Sequence, residues 1–334
     1  MGLSWYGSCS SMEPVNHDTR IAMNQPETYR IQKTLQAEIC LSGIGLHTGK
    51  QARLVLRPAP PNHGIVFYRT DLKKRLAIPA HFSAVVSTAL ATTIGNDSDP
   101  LHRIFTVEHL LAALFGMGVT NVEVEVEGPE IPILDGSAAP FIEAITDAGM
   151  IAQPYTASVL KIIKPVKVYE NDAICELLPR ESLRLTTSVD FPHPKIGLQT
   201  FALELTPQSF VEQICQARTF GFLRDLDRLR ERQLALGASL ENVLAFSEAD
   251  IVNPEGMRFA NECVRHKLLD ALGDLALCGS WIEGEMVSYR GGHGMHLNLL
   301  KALAAQPTHW TLLRAEALTV GKTLRTPVAL QVRF

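Results

Sequence analysis

Apolar and polar positions become periodic at Tyr29. Before it, residues 1 to about 28 are polar and patternless and carry Pro14 and Pro26, which predicts a mobile tail. Met23 stands just ahead of the first periodic segment and could be the true start. IQKTLQAEIC, QARLVLRP and GIVFYRT read as short strands parted by Gly and Pro turns. TVEHLLAALFGMG reads as a helix, with Thr106 as its cap and Gly116 to Gly118 as its end. VTNVEVEVEG alternates apolar and acidic residues, as a strand with one wet face does. SAAPFIEAITDAGM is a second helix that Ser137 can cap, and QPYTAS (153–158) reads as a linker. Strands are expected around 159–178 and 183–191. Helices follow at 207–217, 222–236 and 255–278, then the strand WIEGEMVSYR, the glycine-flanked GGHGM and a helix over 296–305.

The second half echoes the first. With His109 aligned on His266, VEHLLAALFG falls on VRHKLLDALG, and a strand follows each helix (NVEVEV; WIEGEMV). Either two amphipathic helices agree by chance, or the chain is two similar α+β halves packed face to face. The second reading gives domains over 29–153 and 154–334, the paired helices at the seam and a ligand cleft between them.

Composition narrows the class. The 334 residues suit about two domains. With 46% hydrophobic and 20% charged residues, disorder and coiled coil are excluded. The net charge is −4, without a block of like charge, so a nucleic-acid partner has no electrostatic support. No apolar run reaches the roughly 18 residues of a membrane span. The N-terminus lacks a signal-peptide core, and Tyr6 breaks the myristoylation pattern. A soluble, cytoplasmic chain is expected. The six cysteines, Cys9, Cys40, Cys175, Cys215, Cys263 and Cys278, include no Cys-x-x-Cys pair, which argues against disulfides and a structural zinc knuckle.

Candidate chemistry sits on the two echoed helices. His266 and Asp270, four apart, share one helix face and can reach one metal or simply each other. Asp274 lies a turn further, as a support for that site or as a solvated residue. Glu108 and His109 point about 100° apart on a helix. They can flank one site, the histidine on a metal and the glutamate beside its water, or be a dipole-favoured acid and a core histidine. His109, His266 and Asp270 together would form a three-ligand set with one position open. Glycines around His293 let it enter a cleft as an acid, or mark an ordinary turn. His47 lies in the glycine-rich GIGLHTGK, which lacks P-loop spacing, and His296 is read as structural.

GIGLHTGK, TVEHLLAAL, IPILDGSAAPF, ARTFGF, VRHKLLDALGDL and the glycine-flanked His293 occur here in one order. Between about Tyr29 and residue 305 the chain resembles the zinc-dependent UDP-3-O-acyl-N-acetylglucosamine deacetylases of lipid A biosynthesis. The resemblance implies two α+β halves, each a sheet with a layer of helices, meeting at a cleft, and one Zn²⁺ on His109, His266 and Asp270, with Glu108 as general base. It implies that His293 assists at the scissile amide and that Asp274 orients it. Thr219 would bond the substrate carbonyl or the zinc-bound oxygen, Phe220 and Phe222 would contact substrate, and Lys267 would meet the nucleotide diphosphate. It also implies inserts over about 82–105 and 222–257, the second forming an acyl passage that Gly237 and Ala238 would line.

The reading is therefore a monomeric hydrolase that removes the N-acetyl group from a UDP-linked acylated amino sugar. Two rivals stand beside it: a zinc amidohydrolase for another substrate, and a non-catalytic acyl- or nucleotide-binding protein.

Overall fold

The computed structural model describes residues 31–96 and 99–318. The tail over 1–28, with Tyr6, Cys9 and Met23, lies outside them, as do two residues of the first expected insert. The first half runs β1 (Ile31–Leu35), β2 (Ile39–Ile44), β3 (Gln51–Pro58), β4 (Ile65–Arg69) and β5 (Ile78–Pro79). A three-stranded ribbon follows, β6 (Val85–Ser87), β7 (Thr93–Asn96) and β8 (Asp99–Ile104), then α1 (Glu108–Met117), β9 (Val122–Glu127), α2 (Ala139–Ala148) and β10 (Met150–Thr156). The second half runs β11 (Val159–Ile162), β12 (Val166–Glu170), β13 (Ala173–Leu178), β14 (Leu183–Phe191), β15 (Gly197–Glu204), α3 (Pro207–Gln213), β16 (Phe220–Phe222), α4 (Leu223–Glu231) and β17 (Leu244–Phe246). It closes with α5 (Glu262–Ala276), β18 (Trp281–Tyr289), α6 (His293–Ala304) and β19 (Trp310–Leu313). No helix among the described residues is long and apolar enough to cross a membrane.

The echo between the halves is structural. The strand after α1, β9, lies between antiparallel β3 and parallel β4. The strand after α5, β18, lies between antiparallel β13 and parallel β14. Hairpins β2–β3 and β4–β5 correspond to β12–β13 and β14–β15. Registers agree too: Val124 sits between Leu56 and Phe67, and Met286 between Leu177 and Leu185, all buried. Alternation puts those side chains on one face of each sheet, and α1 and α5 cover them.

α1 is buried along its whole length because it has the other helices on one side and sheet on the other. α1 and α5 meet closely at Gly273, where a Cβ would run into the Glu108 carbonyl. Its echo partner Gly116 lies against the Phe210 ring, where a Cβ would come within 2.6 Å. Glycine is thus set at both positions by close approach.

Several expected boundaries move. Thr106 does not cap α1: it adopts a left-handed backbone (φ 58°) and donates its hydroxyl to Glu130. Gly118 ends that helix in the left-handed region, as expected. The linker expected at 153–158 begins inside β10, which pairs with β1. A buried amide cluster of Gln32, Asn121 and Gln153 fastens it there. The charged helix stops at Glu231 because Gln233 and Ala235 both turn to positive φ. α5 begins at Glu262 and not at 255, and α6 begins at His293 and not at 296.

Gly273→Ala should therefore push α1 from α5 and lower stability by about 1–3 kcal/mol, the usual cost of overpacking. Gly292, with no atom within 4 Å of a built Cβ, should accept Ala nearly silently. Urea midpoints of the two variants check this; equal midpoints would remove the crossing as the constraint.

Candidate metal centre and cleft

α5 carries His266, Asp270 and Asp274 at successive turns of one face, and the first turn of α1 carries Glu108 and His109 against them. All five are buried. His266 Nε2 lies 3.3 Å and His109 Nε2 3.6 Å from Asp270 Oδ1, and the imidazoles meet edge to face at 4.9 Å. His266 Nδ1 bonds the Ala217 carbonyl at 2.9 Å, which turns Nε2 inward. Burial lowers the His266 pKa to about 4 despite the Asp270 charge, so the ring is neutral at neutral pH. Burial opposes the Asp270 charge, yet Lys267 and His266 hold that carboxyl well below the ordinary range. Its Oδ2 takes Lys267 Nζ at 2.7 Å, while buried Oδ1 has no hydrogen-bond partner. An orphaned carboxylate oxygen facing imidazole nitrogens is a donor set without a proton to share. The three side chains offer ligand atoms within 4.8 Å of one another and fit a metal ion.

Glu108 and His293 face each other beside this set, with Oε1 and Nε2 3.9 Å apart. Glu108 Oε2 accepts the Thr92 backbone N–H at 3.0 Å. Burial raises its pKa, and His293 and His109 pull against that. His293 opens α6, where the helix dipole and burial both disfavour a cation. Its Nδ1 nevertheless bonds Asp274 Oδ2 at 2.8 Å, and Asp274 with Glu108 lifts the imidazole to about 9 against the burial penalty. Burial opposes the Asp274 charge too, and His293 and His296 outweigh it, leaving the carboxyl far below its usual range. The arrangement pairs a carboxylate that takes a proton readily with an imidazolium that can give one.

These groups open into a cleft of about 680 Å³ between the halves. One wall is aromatic: Phe220 and Phe222 of β16 with Phe191 of β14, the first pair of centroids being 5.4 Å from Phe191 to Phe220. Thr219, just before β16, is half-buried on this wall, and its backbone N–H bonds the Gly136 carbonyl at 2.8 Å. Buried Arg218 holds that segment to α5 through Glu262, at 2.9 Å from Nε. Arg228, Lys267 and Arg290 bring positive charge to the cleft.

Ten expected site residues thus share one cleft: His109, His266, Asp270, Glu108, His293, Thr219, Phe220, Phe222 and Lys267 on its lining, with Asp274 beneath His293. Gly237 and Ala238 do not line it. Gly237 instead stacks on the GIGLHTGK loop, its N–H on the Leu46 carbonyl and its Cα where a Cβ would strike Gly45. That loop wraps Glu130, which accepts from the His47 and Thr48 backbones and from the Thr48 and Thr106 hydroxyls. Residues missed in the sequence are Thr92, whose hydroxyl reaches Asp274 Oδ1 at 2.5 Å, and His296, whose Nδ1 reaches Asp274 Oδ2 at 2.8 Å. His293 and His296 are one helical turn apart, a spacing readable only if α6 begins at His293.

Over residues 32–305 the sequence matches the profile of the family described as UDP-3-O-acyl N-acetylglycosamine deacetylase. It is 46% identical over 291 residues to a UDP-3-O-acyl-N-acetylglucosamine deacetylase of Myxococcus xanthus, covering 87% of this chain and 91% of that protein. A protein of the same name from Histophilus somni is 42% identical over 287 residues, 85% of this chain and 93% of the relative. Another, from Syntrophotalea carbinolica, is 40% identical over 299 residues, 89% and 96% of the two chains. Likeness at this level spans both halves of the fold and both helices at the seam, and on it the chain belongs to the UDP-3-O-acyl N-acetylglycosamine deacetylase family.

Proposed function

We propose that this chain is a cytoplasmic, zinc-dependent deacetylase. It hydrolyses the N-acetyl group of UDP-3-O-acyl-N-acetylglucosamine and releases acetate and UDP-3-O-acyl-glucosamine, a step of lipid A biosynthesis. The observation that carries this reading is the buried His109–His266–Asp270 set with Glu108 and His293 facing each other beside it. The donor set of two imidazoles and one carboxylate suits Zn²⁺, which when bound lowers the pKa of water and polarises a carbonyl.

The protein's own groups do the rest. Glu108, anchored by the Thr92 N–H and raised in pKa by burial, takes a proton from the attacking water. His293, held by Asp274 with Nε2 toward Glu108, carries the proton that the departing amine needs. Thr219 and the His293 cation, both on the cleft lining, would meet the negative charge that develops on the amide oxygen. Phe191, Phe220, Phe222 and Leu229 offer apolar surface for the acyl chain, and Lys267 with Arg228 and Arg290 offers charge for the diphosphate. In this reading the metal ligands, the base and the acid all come from one chain. The direct test is acetate release from the acylated UDP-sugar beside the same sugar without its acyl chain.

Purified protein should hold about one zinc per chain, and Asp270→Ala should lose most of it on metal analysis. Glu108→Gln should keep the metal and lose roughly 10²–10⁴ in kcat. Near-normal turnover in that variant would take the base assignment away from Glu108.

The pH profile should be bell-shaped. His293 is active as the cation, so its contribution is present below its pKa of about 9 and fades above it. Asp274→Asn removes the charge that raises this pKa, and the basic limb should move to lower pH. Glu108 is active as the anion; burial raises its pKa, so the acidic limb should lie above the ordinary carboxylate range. A basic limb unmoved by Asp274→Asn would separate it from His293.

A further inference from the structure

Asp274 is shared. Its Oδ2 accepts two imidazole N–H groups, His293 Nδ1 and His296 Nδ1, each at 2.8 Å, and its Oδ1 accepts the Thr92 hydroxyl at 2.5 Å. Only one of the two histidines reaches the cleft. His296 is fully enclosed behind it, and its Nε2 meets Ser288 Oγ at 3.2 Å, which in turn meets Cys175 Sγ at 3.3 Å. Gly291 closes over this chain, where a Cβ would strike Ser288 and Cys175. A buried imidazole needs partners for both ring nitrogens, and His296 could have found them anywhere in the core. Every polar atom of His296 is used, and its inner nitrogen is spent on the oxygen that holds His293.

We propose that His296 is a positioning residue: by donating to the same oxygen of Asp274, it fixes the carboxylate's orientation and limits how strongly it holds His293. The geometry leaves the carboxylate little freedom, with Thr92 pinning one oxygen and His296 the other. A carboxylate oxygen that accepts two donors is a weaker acceptor for each. His296 thus works against Asp274, keeping the His293 proton available for transfer. The groups around the pair come from every neighbouring element. Asp274 is on α5, Ser288 on β18, Cys175 on β13, and His293 shares α6; Glu108 on α1 and Asp270 on α5 act on His293, and His47 lies across the cleft. Removing His296 leaves all of these in place. The sign is the same whether its ring is neutral or charged, since either form draws on Asp274.

This inference rests on the reading of His293 as proton donor, so it needs a readout besides turnover. The experiment is His296→Leu in the zinc-loaded protein, with the His293 ring titrated by NMR and kcat and KM measured across pH. The expected result is an upward shift of the His293 midpoint by about 0.5–1 unit, with the basic limb moving with it. A kcat lower by about tenfold, with KM unchanged, should accompany it. His296→Asn, which returns an N–H donor near Oδ2, should restore much of both. Should the Leu variant not fold, His296→Met, whose flexible thioether fills irregular space, carries the same readout. A His293 midpoint unchanged in a folded His296→Leu or His296→Met protein overturns the proposal. If the wild type releases no acetate, the reading of the reaction fails, while the NMR titration still decides the role of His296.

Discussion

The approach of α1 to α5 at Gly273 governs the rest of the molecule. Each helix continues into the central strand of its own sheet, so its position is set by a register that buries Val124 in one half and Met286 in the other. What remains adjustable is the distance between the helices, and the absent side chain at Gly273 makes it short. Only at that distance do side chains from two different helices come within bonding range of one ion. A wider crossing would leave His109 and Asp270 as separate buried polar groups, each costing the fold free energy without a common partner.

Burial then supplies the chemistry. Water would level the titratable groups at the seam; enclosed, they are set apart by their nearest charges. Burial dominates at Glu108 and His266, raising the first and lowering the second. At His293 and Asp274 mutual attraction overrides burial. The same enclosed region thereby holds a carboxyl and an imidazole pushed up in pKa beside an imidazole pushed down. The functional pair lies within 3.9 Å, yet its members are tuned from opposite sides, Glu108 by enclosure and His293 by a carboxylate beneath it.

Much of this was legible in the chain because helical periodicity and a repeated motif are local signals. The echo of VEHLLAALFG in VRHKLLDALG brings His109, His266 and Asp270 together in the sequence itself, and a strand after each helix points to similar halves. Contacts between distant segments were not legible. Thr106 precedes a helix and carries a capping side chain, but Glu130 claims its hydroxyl. Gln153 looks like linker until Asn121 is known to face it. Gly237 was expected to line an acyl passage, whereas Gly45 and Gly49 press on its backbone. His296 was hidden by one misplaced boundary: with α6 begun three residues late, its alignment with His293 could not be read.

Asp270 and Asp274 show how one helix face yields two roles from one residue type. Both carboxylates are buried, both lie on α5, and both are held ionised by neighbouring cations. The difference lies in which of their oxygens are already occupied. Asp274 already has three donors on its two oxygens. Asp270 has Lys267 on one oxygen and no donor on the other, and that vacant oxygen is the one between the two imidazole nitrogens. Hydrogen-bond saturation thus ties the first to two imidazoles and a hydroxyl and leaves the second with an oxygen that could take an ion. The spacing of four residues in the sequence guarantees only that the two stand on the same face.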